Sequence, residues 1–128
     1  MRRVFAAFCG LALVAAAPSA SSQTAGGDAK RGETLYAACA ACHSLDAGQN
    51  QLGPHLKSIV GRKAAAVEDY NYSGPMKRAE LTWTAETLDA FLADPQAVVA
   101  GTKMPFSGMA EAKDRADLIA YLAAATTP

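Results

Sequence analysis

The sequence predicts a small all-α domain in which short helices alternate with long loops. Near the C-terminus, apolar residues recur at helical spacing, at Leu118, Ile119, Leu122 and Ala125. No segment alternates apolar and polar residues over enough positions to form a sheet. The loops, which contain glycine and proline, are long for a compact domain of this size. Together these observations indicate helices folded around a group that is not protein.

The composition restricts the class of protein. The chain has 128 residues, of which 51% are apolar and 19% are charged. This suits one small globular domain and excludes a disordered tail. Basic and acidic residues balance at 12 each, and only 7% of the residues are aromatic. A surface that binds nucleic acid needs a basic excess, so we expect no nucleic-acid partner.

Residues 1–25 have the layout of a secretory signal peptide followed by a tail of small residues. Two arginines follow the initiator methionine, residues 4–17 are almost all apolar, and small residues surround Ala20. The apolar run of about 14 residues is shorter than the roughly 20 that a membrane-spanning helix needs. We therefore expect cleavage after Ala20 or Ala25 and no stable membrane span, with an uncleaved anchor as the alternative. Residues 26–128 then form a domain exported into a compartment that oxidises thiols.

The first predicted helix runs from Asp28, a favourable N-cap residue, to about Cys39. A later helix spans Ala85–Ala93 with Thr84 as its cap. It ends at Pro95 because the residue before a proline is pushed out of helical geometry. The other segments, in chain order, are a loop at 49–56, an unassigned stretch at 64–69, a turn at 70–75 that leads into a short helix, a loop at 99–108 and a helix at 112–124.

The most informative motif is the pentapeptide Cys39-Ala40-Ala41-Cys42-His43. This C-x-x-C-H pattern is the attachment signature of c-type haem. Cysteines three apart on one helical turn present both sulfurs to the same side, where they can form thioethers to the two vinyl groups of one porphyrin. His43, which follows at once, can then donate an imidazole nitrogen to the iron.

Three other interpretations of the pentapeptide compete with haem. A thioredoxin-like redox pair needs a βαβ setting, which the sequence does not predict. A zinc site needs four ligands, and the exported domain offers only Cys39, Cys42, His43 and His55, of which the adjacent Cys42 and His43 would have difficulty binding one tetrahedral ion. A structural disulfide would leave His43 unexplained.

The iron then needs a sixth ligand or an open site. The side chains that can supply a ligand are His55, Met76, Met104 and Met109. Met104 lies in a loop whose backbone is restricted by glycine and proline, so that loop can aim one thioether at a metal. A loop methionine more often fills a packing gap, Met109 fits the core better, and His55 fits the surface or an outer contact.

The order of several motifs resembles that of class I cytochromes c, in particular the mitochondrial and related bacterial soluble type. The resemblance covers about Gly27–Thr126. Its motifs are Gly27-Asp28 with Gly32, the pentapeptide at 39–43, Gly53-Pro54-His55-Leu56, Gly61-Arg62-Lys63, Tyr72-Ser73, Thr82-Trp83, Leu88 with Phe91-Leu92 and Pro95, the segment 101–106 with Gly108, and the segment 117–122.

The resemblance implies the cytochrome c fold, in which N- and C-terminal helices cross and long loops wrap one covalently bound haem c. Gly32 would let the helices cross near Leu118 and Tyr121, and the Pro54 carbonyl would accept the ring N–H of His43. The implied site residues are Cys39 and Cys42 for covalent attachment, His43 and Met104 as the iron ligands, and Arg62, Tyr72, Trp83 and Thr102 as contacts to the haem propionates.

The resemblance also implies a periplasmic electron-transfer protein that shuttles single electrons and is not an enzyme. Its partners would be transient redox proteins, such as membrane cytochrome complexes, oxidases or dehydrogenases, and the chain itself would be a monomer. One alternative is a peroxidase-type haem enzyme, if the Met104 ligand is labile. Another is a fixed cytochrome subunit of a dehydrogenase.

Several positions depart from the family pattern. Phe91 stands where tyrosine is common, so a hydroxyl that reaches toward the methionine sulfur is missing. Ala100 replaces the usual proline before the methionine loop, which gives that loop one less rigid joint. Met76 stands where a polar amide is common. Lysines that could surround the haem edge are few, namely Lys57, Lys63, Lys77 and Lys103.

Overall fold

The computed structural model describes residues 26–126, and within that range the chain forms five helices and no strand. The helices are α1 (Ala29–Tyr36), α2 (Gly74–Arg78), α3 (Ala85–Ala93), α4 (Pro95–Val98) and α5 (Ala112–Ala125). An isolated antiparallel bridge joins Lys63 and Thr82. The all-α prediction is therefore confirmed. The predicted signal peptide and tail, residues 1–25, lie outside the described residues.

Helix α1 begins as predicted and ends earlier than predicted. The Asp28 carboxylate accepts the backbone N–H groups of Lys30 and Arg31, which caps the helix. After Tyr36 the hydrogen bonds tighten, and the Cys39 N–H donates to the Tyr36 carbonyl, three residues back, over 2.8 Å. Cys39 therefore lies on a tight turn that continues α1 and not on the regular helix.

Helices α2, α3 and α5 confirm the predicted segments. Helix α3 has the predicted bounds, and Thr84 forms a reciprocal capping box with Thr87. Helix α5 ends one residue beyond the prediction. The sequence does not predict helix α4, because Pro95 indicates only where α3 ends. A proline is also favoured in the first turn of a helix, and here Asp94 caps the new helix through the N–H of Ala97.

Helices α1 and α5 cross at Gly32. A Cβ at Gly32 would lie 2.7 Å from the Cβ of Tyr121 and still closer to the Asp117 carbonyl oxygen. Only glycine therefore permits the two backbones to approach this closely. The crossing lies where the family resemblance implied it.

The buried apolar side chains surround a central cavity. They come from α1, α3, α5 and the intervening loops, and seven of these nine core residues also line the cavity. The apolar core is thus a wall around the cavity, so a group that occupies the cavity is part of the core. The nine core residues are Tyr36, Ile59, Trp83, Leu88, Phe91, Leu92, Val99, Leu118 and Leu122. No helix in the described part of the chain is long and apolar enough to cross a membrane.

A buried carboxylate ties α5 to the start of α1. Asp117 is 1% exposed and accepts hydrogen bonds from Lys113 Nζ at 2.7 Å, from the Asp28 N–H at 2.7 Å and from Arg31 Nη1 at 2.6 Å. These donors hold the pKa of the Asp117 carboxyl well below its usual range, with Lys113 as the largest cause. Arg31 also pairs with Asp114 at 2.6 Å.

We expect Asp117→Asn to lower the free energy of unfolding at about pH 7, because the amide cannot keep all three charge-assisted contacts. A carboxylate whose pKa falls on folding stabilises the protein above its unfolded pKa, ordinarily 3.8 here, and this stability is lost as the pH falls below that value. The difference between wild type and variant should therefore shrink as the pH falls from about 4 to about 2. Urea unfolding across this pH range measures it.

The control for this experiment is Asp46→Asn, since Asp46 is exposed and forms no ion pair among the described residues. This variant should match the wild type at every pH. A destabilisation by Asp117→Asn that stayed constant down to pH ~2 would contradict the role of the Asp117 charge.

Candidate functional site

One cavity brings together all eight residues predicted for the site. It has a volume of about 350 Å³, within the range of roughly 300–1,000 Å³ typical of small-molecule and cofactor sites. Most of its other lining residues are apolar side chains of the core. The eight predicted residues are Cys39, Cys42, His43, Arg62, Tyr72, Trp83, Thr102 and Met104.

The pentapeptide forms successive hydrogen-bonded turns. The Cys39 carbonyl accepts the N–H of Cys42 at 3.0 Å and that of His43 at 2.9 Å. Both cysteines are half-buried free thiols that line the cavity. Burial, followed by the proximity of Cys42, raises the pKa of the Cys39 thiol. The local backbone therefore directs two thiols and one imidazole to the same cavity.

The His43 ring is held in one protonation form. Its Nδ1 lies 2.7 Å from the Pro54 carbonyl oxygen, which can only accept, so Nδ1 carries the proton and Nε2 keeps its lone pair. Burial lowers the pKa of His43, so the ring is neutral at pH 7. A Cβ at Gly53 would lie 2.7 Å from Nδ1, so only glycine allows the ring to lie here. A neutral imidazole oriented by a carbonyl is a ready metal ligand.

Two of the four candidates for a sixth ligand line the cavity. Met76 and Met104 do so, whereas His55 and Met109 do not. The N–H of Met109 donates to the Leu92 carbonyl at 2.7 Å, and its side chain packs against the core. Met104 is half-buried in an irregular segment, as the sequence predicts.

The cavity lining contains a half-buried cation, Arg62, that has no anionic partner among the described residues. Arg62 donates to the carbonyls of Lys57 at 2.8 Å and His55 at 2.9 Å. Its buried Nε has no acceptor, and no ion pair among residues 26–126 includes it. Burial lowers the pKa of Arg62. Because the buried Nε of this half-buried cation has no acceptor, the position favours a ligand that carries a carboxylate.

Tyr72 and Thr102 offer further donors at the cavity. The Tyr72 hydroxyl accepts the Val67 N–H at 3.4 Å and keeps its own proton for another acceptor. Burial raises the pKa of Tyr72 although the neighbouring Arg62 opposes this rise, so the phenol stays protonated at pH 7. Thr102 is buried, with 8% of its surface exposed.

Trp83 and Phe91 form an apolar wall. Their rings meet edge to face with centroids 5.0 Å apart, and both side chains are buried. Phe91 lines the cavity without a hydroxyl, as the departure from the family pattern implies.

Tyr70 belongs to the site although none of the sequence motifs assigns it a role there. Its ring also lines the cavity and meets the Tyr72 ring edge-on at 4.8 Å. Its hydroxyl donates to the Leu52 carbonyl at 2.7 Å, and the Lys103 ammonium lies 4.8 Å from its ring centroid. The sequence contains one indication of this role. Tyr70 and Tyr72 are two large aromatic side chains in a predicted turn, and such side chains need a surface to pack on.

A family model for cytochrome c matches residues 29–126. The chain belongs to the cytochrome c family. It is therefore a monohaem electron-transfer protein with the cytochrome c fold and covalently bound haem c. Family membership also decides between the four interpretations of the pentapeptide, in favour of haem attachment.

Three relatives illustrate the similarity. The cytochrome c-type cyt cy of Rhodobacter capsulatus is 52% identical over 97 residues, which cover 75% of this chain and 48% of that protein. Cytochrome c2 of Rhodomicrobium vannielii is 42% identical over 124 residues, which cover 96% of each chain. The structure of cytochrome cH from Methylobacterium extorquens matches with a TM-score of 0.72 and 43% identity, over 77% of this chain and 99% of that chain. The chain thus spans about half the length of cyt cy and nearly all of the other two.

The described residues of this cytochrome fit haem c. The two thiols on one turn suit two thioether bonds, and the lone pair of His43 suits the iron. The unpaired Nε of Arg62 suits the carboxylate that a haem propionate provides.

We expect Arg62→Ala to lower the reduction potential by tens of millivolts, because a positive charge beside the site disfavours the ferric state. Covalent attachment and the methionine–iron bond should remain. Redox titration gives the potential, and the weak long-wavelength charge-transfer band of ferric–methionine ligation reports the bond. Arg62→Lys, which keeps the charge, is the control and should shift the potential less. Loss of that band in Arg62→Ala would contradict a role confined to the propionates.

Proposed function

We propose that this cytochrome is a periplasmic single-electron carrier whose haem c is attached to Cys39 and Cys42 and ligated by His43 and Met104. One observation carries the proposal. Both thiols, the oriented neutral imidazole and the thioether of a loop methionine line the same apolar cavity. This is the donor set that a six-coordinate c-type haem requires.

The proposed ligands explain why the protein transfers electrons. When bound, haem c supplies an iron that gains and loses one electron. His43 and Met104 would both bind the iron, which would leave it no free position for a substrate. The mostly apolar lining would favour the less charged ferrous state of the bound group. We therefore propose that the protein is a carrier and not an enzyme.

A peroxidase-type activity is the second candidate, and two residues favour it. Phe91 cannot donate a hydrogen bond toward the Met104 sulfur, and Ala100 lacks the rigid ring of a proline at the start of the ligand loop. Both features would weaken retention of Met104. The half-buried position of Met104 in a cavity-lining loop favours the carrier.

The N-terminal residues support export. Residues 1–25 have the pattern of a signal peptide, and the match to cytochrome c2 of Rhodomicrobium vannielii extends over 96% of both chains. We propose cleavage after Ala20 or Ala25, which leaves the domain free in the periplasm.

We propose that redox partners dock transiently at the mouth of the cavity. Leu52 lines the cavity and is 80% exposed, and the alanines next to the two cysteines in the chain are exposed. Among the lining residues only Arg62 and Lys103 carry a permanent charge. An apolar face with few charges depends little on electrostatic steering, so docking should respond weakly to ionic strength. The exposed alanines are Ala37, Ala38, Ala40 and Ala41.

The ligand assignment predicts that Met104→Ala abolishes the ferric–methionine charge-transfer band and leaves haem attached. Met109→Ala is the matched control, because Met109 packs against the core and does not line the cavity. It should keep the band. Optical spectra of the oxidised and reduced proteins, made in a host with haem-attachment machinery, check both variants.

The same spectra separate the two candidate functions. A wild-type protein with the band and without peroxide turnover supports the carrier. Attached haem without the band would show an open or misligated site and would favour the peroxidase. Copurification with a dehydrogenase in fixed ratio would instead indicate a permanent subunit.

The docking proposal predicts that Leu52→Lys slows electron self-exchange between ferrous and ferric copies of this chain about fivefold at low salt. Two like charges close together in water repel by about 1 kcal/mol. Added salt should restore the rate, because exposed charges are screened. NMR line broadening of mixed oxidation states measures the exchange. Val60→Lys is the control, because Val60 is 41% exposed and does not line this cavity. Equal slowing by both variants would contradict docking at Leu52.

A further inference from the structure

The loop that carries Met104 begins with a tight turn at 99–102. The Thr102 N–H donates to the Val99 carbonyl over 2.9 Å, and Gly101 has a φ of 86°. Positive φ at the third residue is the pattern of a type II turn, in which proline is favoured at the second residue. The second residue here is Ala100, so no ring fixes the backbone of this turn.

Gln96 bridges this turn with both ends of its side-chain amide. Its Oε1 accepts the Gly101 N–H over 2.9 Å, and its Nε2 donates to the Thr102 carbonyl over 3.0 Å. The backbone of Gln96 belongs to α4, which Asp94 caps by accepting the N–H of Ala97 at 3.1 Å. The bridge therefore runs from a capped helical turn to two consecutive residues of the loop.

The bridged turn leads directly to Met104. Thr102 is buried and lines the cavity, and its hydroxyl lies 3.5 Å from the Met104 N–H, which donates to it. The Lys103 ammonium donates to the Asn71 carbonyl, which is a second tie on this loop. A displacement of Gly101 and Thr102 would therefore move the backbone that presents the methionine.

We propose that Gln96 is a positioning residue for Met104, because its side-chain amide fixes the 99–102 turn in place of a proline at position 100. This inference rests on the proposed function, in which Met104 ligates the iron. Gln96 does not line the cavity. Any effect it has on the site must therefore act through the loop.

Removal of this bridge should loosen the loop without altering the cavity wall. In Gln96→Ala, the Gly101 N–H loses its acceptor, and its hydrogen exchange should accelerate about fivefold, as expected for the loss of one ordinary hydrogen bond. The state in which Met104 has left the iron should become more populated by a similar factor. Added imidazole, which competes for that position, should then bind about fivefold more tightly.

The experiment uses the secreted holoprotein and three variants. Gln96→Ala is compared with Gln49→Ala, in which an exposed glutamine whose side chain forms no hydrogen bond among the described residues is truncated. The double variant Gln96→Ala with Ala100→Pro tests whether a proline ring at position 100 can replace the Gln96 bridge as the restraint on the turn. The Ala100 N–H donates no hydrogen bond among the described residues, so a proline loses none there and supplies the φ that the turn requires.

The proposal expects faster Gly101 exchange and tighter imidazole binding in Gln96→Ala, wild-type values in Gln49→Ala, and rescue in the double variant. Unchanged Gly101 exchange and imidazole affinity in Gln96→Ala would overturn it. Exchange that accelerates equally in α5 would also overturn it, because that result reports global destabilisation. A wild-type protein without the ferric–methionine band would refute the Met104 assignment itself, and so removes the positioning role for a different reason.

Discussion

The rest of this structure depends on one constraint, which is that its apolar core surrounds a central cavity. A domain of about 100 residues buries little surface for its length. Here most core side chains, such as Leu118 of α5 and Trp83 of the loop before α3, also face the cavity. Much of the apolar burial that stabilises the domain must therefore be contact with haem rather than between helices. This accounts for long loops around a few short helices, since a loop can be ordered by packing on a rigid group where it has no neighbouring helix.

A few backbone groups position the two polar side chains that give the cavity its chemistry. Gly53 makes room for the His43 ring, and the Pro54 carbonyl fixes its tautomer. Two backbone carbonyls hold the Arg62 guanidinium, while its Nε has no acceptor among the described residues. A neutral imidazole suits iron and a cation suits a carboxylate, so the two side chains match different parts of a haem group. Phe91 adds a buried apolar ring to the lining of the same cavity.

The features that sequence predicted are those whose causes lie within a few residues. Asp28 and Thr84 cap the helices that follow them, and the pentapeptide directs its thiols through its own turn. The order of family motifs named eight site residues, and all eight line the cavity, although their individual roles stay predictions. A pattern of a few residues does not predict the structure where one residue has two effects. Pro95 ends α3 and also begins α4, and a terminator alone gives no reason to expect the second helix.

What sequence could not predict depends on contacts across the fold. The turn at 99–102 has an alanine where a rigid proline is usual. From sequence alone, this alanine predicts a less restrained loop before Met104. The structure adds Gln96, whose amide joins two residues of that turn. A proline restrains a turn by limiting its unfolded states, whereas a side-chain bridge restrains it through hydrogen bonds that can open and close. The two restraints can therefore give the turn the same average geometry, while the loop that carries Met104 opens at different rates. With Met104 as the proposed iron ligand, the lability of that ligand would depend on the strength of the exposed Gln96 amide bridge and not on the residue at position 100 alone.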